Sequence, residues 1–149
     1  MENEKDVFAT RQSVDFENEK LLYREETGKI IGICMEVHRT LGNGFKEMVY
    51  KEALENEFLW QDIAFEREKS FTINYKGKML NHFYVADFVI NKNIVLEIKA
   101  QQNILECHYS QVINYLAVSK CPVGLLINFG GTSLTFKRVA LSRNKFLKK

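Results

Sequence analysis

The chain has 149 residues, 46% of them apolar, with 21 Lys and Arg against 19 Asp and Glu and a formal net charge of +2. That length carries one domain with its own core, and the apolar share with a single Pro excludes a disordered or collagen-like chain. No run approaches 18 consecutive apolar residues and the N-terminus lacks the apolar stretch of a secretory signal, so no membrane contact is expected and a cytoplasmic location is the default.

Residues 1–27 hold 8 acidic and 4 basic side chains, and the last 13 residues hold six basic ones and no acid. We divide the chain into an acidic N-terminal arm (1–26), one α/β domain (27–140) and a basic tail (141–149). A basic body and tail suit a polyanionic partner, and equally suit a solvated C-terminal end. Cys34, Cys107 and Cys121 are odd in number and widely spaced, which fits neither a disulfide framework nor a zinc ribbon; three buried thiols are expected.

In chain order, Ile30, Ile33, Cys34, Val37 and Leu41 predict a helix with Thr27 as N-cap, ended by Gly42-Asn43-Gly44. Tyr50, Leu54 and Phe58 form the stripe of a second helix. Phe65–Tyr75, Leu80–Ile90 and Ile94–Ala100 read as strands, Cys107–Val118 as an amphipathic helix, Val123–Phe129 as a short apolar strand, and Ser133–Ala140 as a last edge strand. The order is ααβββαβ(β), which predicts a mixed central sheet flanked by helices.

The polar chemistry sits where this pattern breaks. Asp87 lies inside an apolar strand, and Glu97 and Lys99 are two apart in the next, so they share a face. If Asn91-Lys92-Asn93 forms a three-residue hairpin loop, Ile90 faces Ile94 and Asp87 faces Glu97. Like charges opposite one another destabilise a sheet unless a cation sits between them. A two-residue loop would instead put the two carboxylates on opposite faces. Glu47 lies on the apolar stripe of the second helix, and is also a first-turn acid favoured by the helix dipole. Glu47, Asp87, Glu97 and Lys99 together leave a charge that one divalent cation balances, and all-oxygen donors favour Mg²⁺ or Mn²⁺. Glu97 and Lys99 are also compatible with a solvated edge or with a structural ion pair. His108, Gln111 and Tyr115 share one helical face, a row able to orient water, phosphate or a lysine, or simply to face solvent. His38, near the apolar face of the first helix, reads as a ligand or as a satisfied core histidine.

Gly44-Phe45-Lys46-Glu47-Met48-Val49-Tyr50 matches G-x-x-E-x-x-Y, after Glu36-Val37-His38-Arg39-Thr40-Leu41-Gly42. With Tyr84-Val85-Ala86-Asp87, Glu97-Ile98-Lys99-Ala100, Gln111 to Leu116 and Val123 to Phe129, the chain resembles the GxxExxY family of the PD-(D/E)XK nuclease-like superfamily. Gln111-x-x-x-Tyr115 is similar to the QxxxY motif of RecB-type exonucleases. Ala86 stands where the superfamily name has Pro. The resemblance implies a restriction-endonuclease-like core. It assigns Asp87, Glu97 and Lys99 to the D…(D/E)xK catalytic centre, Gln111 and Tyr115 to its support, and Glu47, Asp87, Glu97 and His38 to metal binding. It implies a Mg²⁺- or Mn²⁺-dependent nuclease acting on DNA, with a homodimer or partner subunit compatible with so small a chain. Two other readings stay open: a catalytically silent nucleic-acid- or protein-binding module on the same fold, and a metal-dependent hydrolase of some other substrate.

Overall fold

A computed structural model describes residues 4–141, with side chains described from Tyr23 onward. The side chains of residues 1–22 and the tail from 142 lie outside the described residues. The elements are α1 (Glu4–Leu41), α2 (Glu47–Trp60), β1 (Phe65–Tyr75), β2 (Lys78–Ile90), β3 (Ile94–Lys99), α3 (Glu106–Ser119), β4 (Val123–Asn128) and β5 (Thr135–Ala140).

Thr27 is not an N-cap. Helix α1 runs through it, with a single non-helical residue, Tyr23, at φ −116° and ψ 18°. The Thr27 hydroxyl donates backward to the Tyr23 carbonyl at 2.9 Å, where an N-cap would accept from N–H groups ahead of it. The helix ends as its sequence requires: Gly42 adopts φ +70°, and its N–H donates to the His38 carbonyl at 2.7 Å.

The five strands form one sheet in the order β1-β2-β3-β4-β5. Only β3 and β4 are parallel, and α3 makes the crossover between them. The apolar runs of β3 and β4 are buried on both faces, as strands between two helical layers must be. On one face, Ile30, Ile33, Cys34 and Val37 of α1 and Tyr50, Leu54 and Phe58 of α2 pack with Phe88, Leu96, Ile98 and Leu125. On the other, Val112, Ile113, Tyr115 and Leu116 of α3 pack with Val89, Val95 and Leu126. Helix α3 sits close because Gly124 leaves room: a Cβ there would stand 2.7 Å from Val112 Cγ1.

The three-residue hairpin holds. Ile90 pairs with Ile94, Val89 with Val95 and Phe88 with Leu96. Asn91 and Lys92 take left-handed φ of 51° and 63°, and Asn93 N–H donates to the Ile90 carbonyl at 3.0 Å. Strict alternation would place Ala86 in the layer of Phe88. Instead Ala86 packs with the α3 layer, so the β2 alternation slips at Asp87. Of the cysteines, Cys34 and Cys121 are buried as expected; Cys107 is exposed, because it falls on the outward side of the first turn of α3.

Candidate active site

Regular pairing between β2 and β3 stops at Phe88 and Leu96, although β2 continues with β1 and β3 continues with β4. At this fork two carboxylates replace the missing backbone partners. Asp87 N–H donates to Glu97 Oε1 at 2.8 Å, and Ile98 N–H donates to Asp87 Oδ2 at 2.8 Å. Asp87 is 7% exposed and Glu97 3%. Two buried acids sharing one short segment cannot both ionise at ordinary cost. Burial first, and the charge of Asp87 second, push the Glu97 carboxyl up to about 8, against the weaker pull of the Asp87 N–H bond, Lys99 and Lys51.

The cation that balances the pair within the protein is Lys51. Its Nζ lies 2.6 Å from Asp87 Oδ1 and 3.5 Å from Glu68 Oε1, and the residue is only 8% exposed. Burial works against its charge. The hydrogen bond and attraction of Asp87, with Glu68 and Glu47 adding, outweigh that and hold the ammonium above its ordinary value. The sequence reading missed Lys51 because a lysine on an amphipathic helix is counted as solvated. The signal was present: Lys51 is four residues after Glu47 and three before Leu54, on the same stripe.

Glu47 opens α2 half-buried, and acts electrostatically on Lys51. Lys99 closes β3 two residues beyond Glu97 and helps to ease its ionisation. Gln111 Nε2 donates to the Tyr115 hydroxyl at 2.8 Å. Tyr115 is buried, crosses the Tyr84 ring edge-on at 5.6 Å, and has its phenol pushed up by burial and then by the charges of Glu97 and Asp87. Tyr115 therefore lies within electrostatic reach of the carboxylates, with Gln111 attached to it. His108 serves locally, accepting the Leu105 N–H on Nδ1 at 3.0 Å at the start of α3.

His38 is placed elsewhere. Its Nε2 lies 3.0 Å from the Gly131 carbonyl, which only accepts, so that nitrogen carries the proton. Its ring leans on Phe129 at 6.1 Å. Among the described residues, no three His, Cys, Asp or Glu side chains gather into a group able to hold a metal. The Asp87–Glu97 pair nevertheless fits a hard divalent cation. It supplies carboxylate oxygens, Glu97 holds a proton that an entering cation would displace, and Mg²⁺ commonly takes one or two carboxylates and keeps several waters.

Tyr50, the last residue of the G-x-x-E-x-x-Y stretch, is a structural clamp. Its hydroxyl donates to the Gly42 carbonyl at 2.6 Å and accepts the Phe45 N–H at 3.3 Å, and its ring stacks on Phe129 at 4.5 Å. Gly44 at φ +107° makes that turn possible.

The family model described as the PD-(D/E)XK nuclease superfamily matches residues 24–139. Among solved structures, the chain is similar to the one titled "Crystal structure of SSO0001", with 22% identity and a TM-score of 0.53 over 87% of this chain. The match spans 66% of that chain, a little under two thirds, and its low identity speaks to the fold alone. No curated protein matches the chain.

Proposed function

The chain belongs to the PD-(D/E)XK nuclease superfamily, and from that membership we propose that it is a Mg²⁺- or Mn²⁺-dependent nuclease hydrolysing phosphodiester bonds of DNA. The observation that carries this reading is the fork itself. Asp87 and Glu97 are held together by backbone hydrogen bonds, buried, with Lys99 at the end of the same strand. Apolar residues in place of buried ionic groups are often neutral or stabilising, so stability alone gives little reason for this pair of acids. Within the superfamily, Gly44, Glu47 and Tyr50 favour the GxxExxY proteins.

Asp87 and Glu97 are the proposed ligands of the ion, with Glu47 as an outer member of the set; His38, engaged with the Gly131 carbonyl, is left out of it. When bound, the divalent cation lowers the pKa of its water and polarises the scissile phosphate. Lys99 offers its ammonium to the phosphate oxygens and stabilises the charge that develops there. Gln111 orients Lys99 or the phosphate, and Tyr115 holds Gln111 in place. The domain proper is residues 27–140, working in the cytoplasm, with a second copy or a partner subunit able to close on DNA. Binding through Lys and Arg contacts weakens as salt rises.

The test is cleavage of linear, circular and single-stranded DNA with Mg²⁺, Mn²⁺ or EDTA, comparing wild type with Glu97→Ala and Lys99→Ala. Metal-dependent cleavage lost in both variants is the expected result. DNA binding that survives in EDTA and in Asp87→Ala, with no cleavage under any metal, would favour the silent binding module instead.

A further inference from the structure

Lys51 belongs to no part of that mechanism, yet its ammonium occupies one carboxylate oxygen of the proposed metal site at 2.6 Å. Its backbone is anchored, since Tyr50 and Leu54 on either side are fully buried against the sheet. Its stem is not: four methylenes let the ammonium swing while the helix stays put.

A second seat lies beside the first. Glu68 stands opposite Asp87 in the β1–β2 register, between the paired residues Arg67–Phe88 and Lys69–Ala86, but is itself unpaired there. Its φ of 52° turns it out of the ladder. The Lys51 ammonium is 3.5 Å from Glu68 Oε1, and Glu68's side chain is 48% exposed. The lysine therefore has a near position against Asp87 and a wetter one towards Glu68.

We propose that Lys51 is a resident competitor for the metal, seated on Asp87 when no divalent cation is bound and withdrawing towards Glu68 when one enters. It thereby sets the metal concentration at which the site fills, and keeps the buried acids compensated until then. This inference rests on the metal-site reading above. A divalent ion and a lysine ammonium on the same carboxylate repel, so removing the ammonium should tighten metal binding. Removing Glu68 takes away the second seat and should weaken it.

The experiment measures Mn²⁺ binding to the full chain by titration calorimetry and by loss of the free-ion spin-resonance signal, with thermal unfolding in EDTA alongside. Lys51→Met is expected to unfold at lower temperature than wild type in EDTA, yet to bind Mn²⁺ roughly tenfold more tightly, the scale of one unit charge removed at a few ångströms. Glu68→Gln, at a half-exposed position that tolerates substitution, is expected to bind Mn²⁺ severalfold more weakly, which keeps the proposal testable if Lys51→Met fails to fold. Wild type binding Mn²⁺ with Lys51→Met equal or weaker, or with Glu68→Gln unchanged, overturns the competitor and leaves the metal site standing. Wild type and both variants binding no Mn²⁺ at millimolar levels overturns the metal site, and the competitor with it.

Discussion

Two buried polar clusters lie at the same end of β3, and they are built on opposite principles. At the β3–β4 side, Asn128 is 2% exposed and uses both ends of its amide. Its Oδ1 accepts the N–H of Gln101 at 3.0 Å and of Gly130 at 3.1 Å, and its Nδ2 donates to the Gln101 carbonyl at 2.8 Å. Gly130 is needed there because a Cβ would stand 2.0 Å from that carbonyl oxygen. This cluster is neutral and closed. At the β2–β3 side, Asp87 and Glu97 bring two acids to one lysine, and Glu97 is pushed up to about 8. The first cluster needs nothing more from its surroundings, whereas in the second Glu97 holds a proton that an entering cation would displace. Burial of polar groups alone therefore does not mark a functional site; the mark is burial with an ionisation pushed off its ordinary value.

The largest expected effect separates the two clusters by activity. Glu97→Gln keeps an oxygen for the Asp87 N–H but removes the charge, so metal-dependent DNA cleavage should fall at least about a hundredfold while the chain stays folded. Asn128→Ala should do the reverse. It removes the buried amide that holds the backbone N–H and carbonyl of Gln101 and should cost about 1 kcal/mol in urea unfolding. Cleavage that survives Glu97→Gln, or an Asn128→Ala protein of unchanged stability, would break the distinction.

A smaller effect is the response to pH. An acid that holds its proton more tightly folded than unfolded favours the folded state at low pH. The Glu97 contribution is therefore fully present below its ordinary value of 4.5 and is lost as pH rises towards about 8. Melting temperature in EDTA should fall across that window in wild type, and Mg²⁺ should restore it at pH 8. In Glu97→Gln the part of the slope due to this residue disappears, whereas Asn128→Ala lowers the whole curve without changing its shape.

The closed cluster was less legible in the sequence than the charged one, for a physical reason. Asp87, Glu97 and Lys99 interrupt apolar strands, and the Asn91–Asn93 turn fixes their register, so local pattern sufficed to bring the two acids together. Asn128 reads only as part of the short apolar strand Val123–Phe129, and its partner Gln101 is 27 positions away across the α3 crossover. Strand limits were legible because β-branched and aromatic runs end at Gly and Asn. Thr27 misled because helix α1 continues backward through an acidic segment with no apolar stripe to announce it. Lys51 was hidden by its type, and the nearness of Tyr50 to Phe129 by its range.

The smallest effect tests where the charged cluster ends. Lys51 is shared between Asp87 at 2.6 Å and Glu68 at 3.5 Å, but only the first contact is buried at both ends. A long contact to a half-exposed carboxylate is screened by water and gains little over solvation. Glu68→Gln should therefore change unfolding free energy in EDTA by no more than about 0.5 kcal/mol, measured in urea at low salt. Asp87→Asn should cost several times as much, because it strands a buried ammonium while keeping an oxygen for Ile98 N–H. Equal losses in the two variants would mean that Glu68, Lys51 and Asp87 form one tight structural triad. The charged cluster would then be as closed as its neutral neighbour.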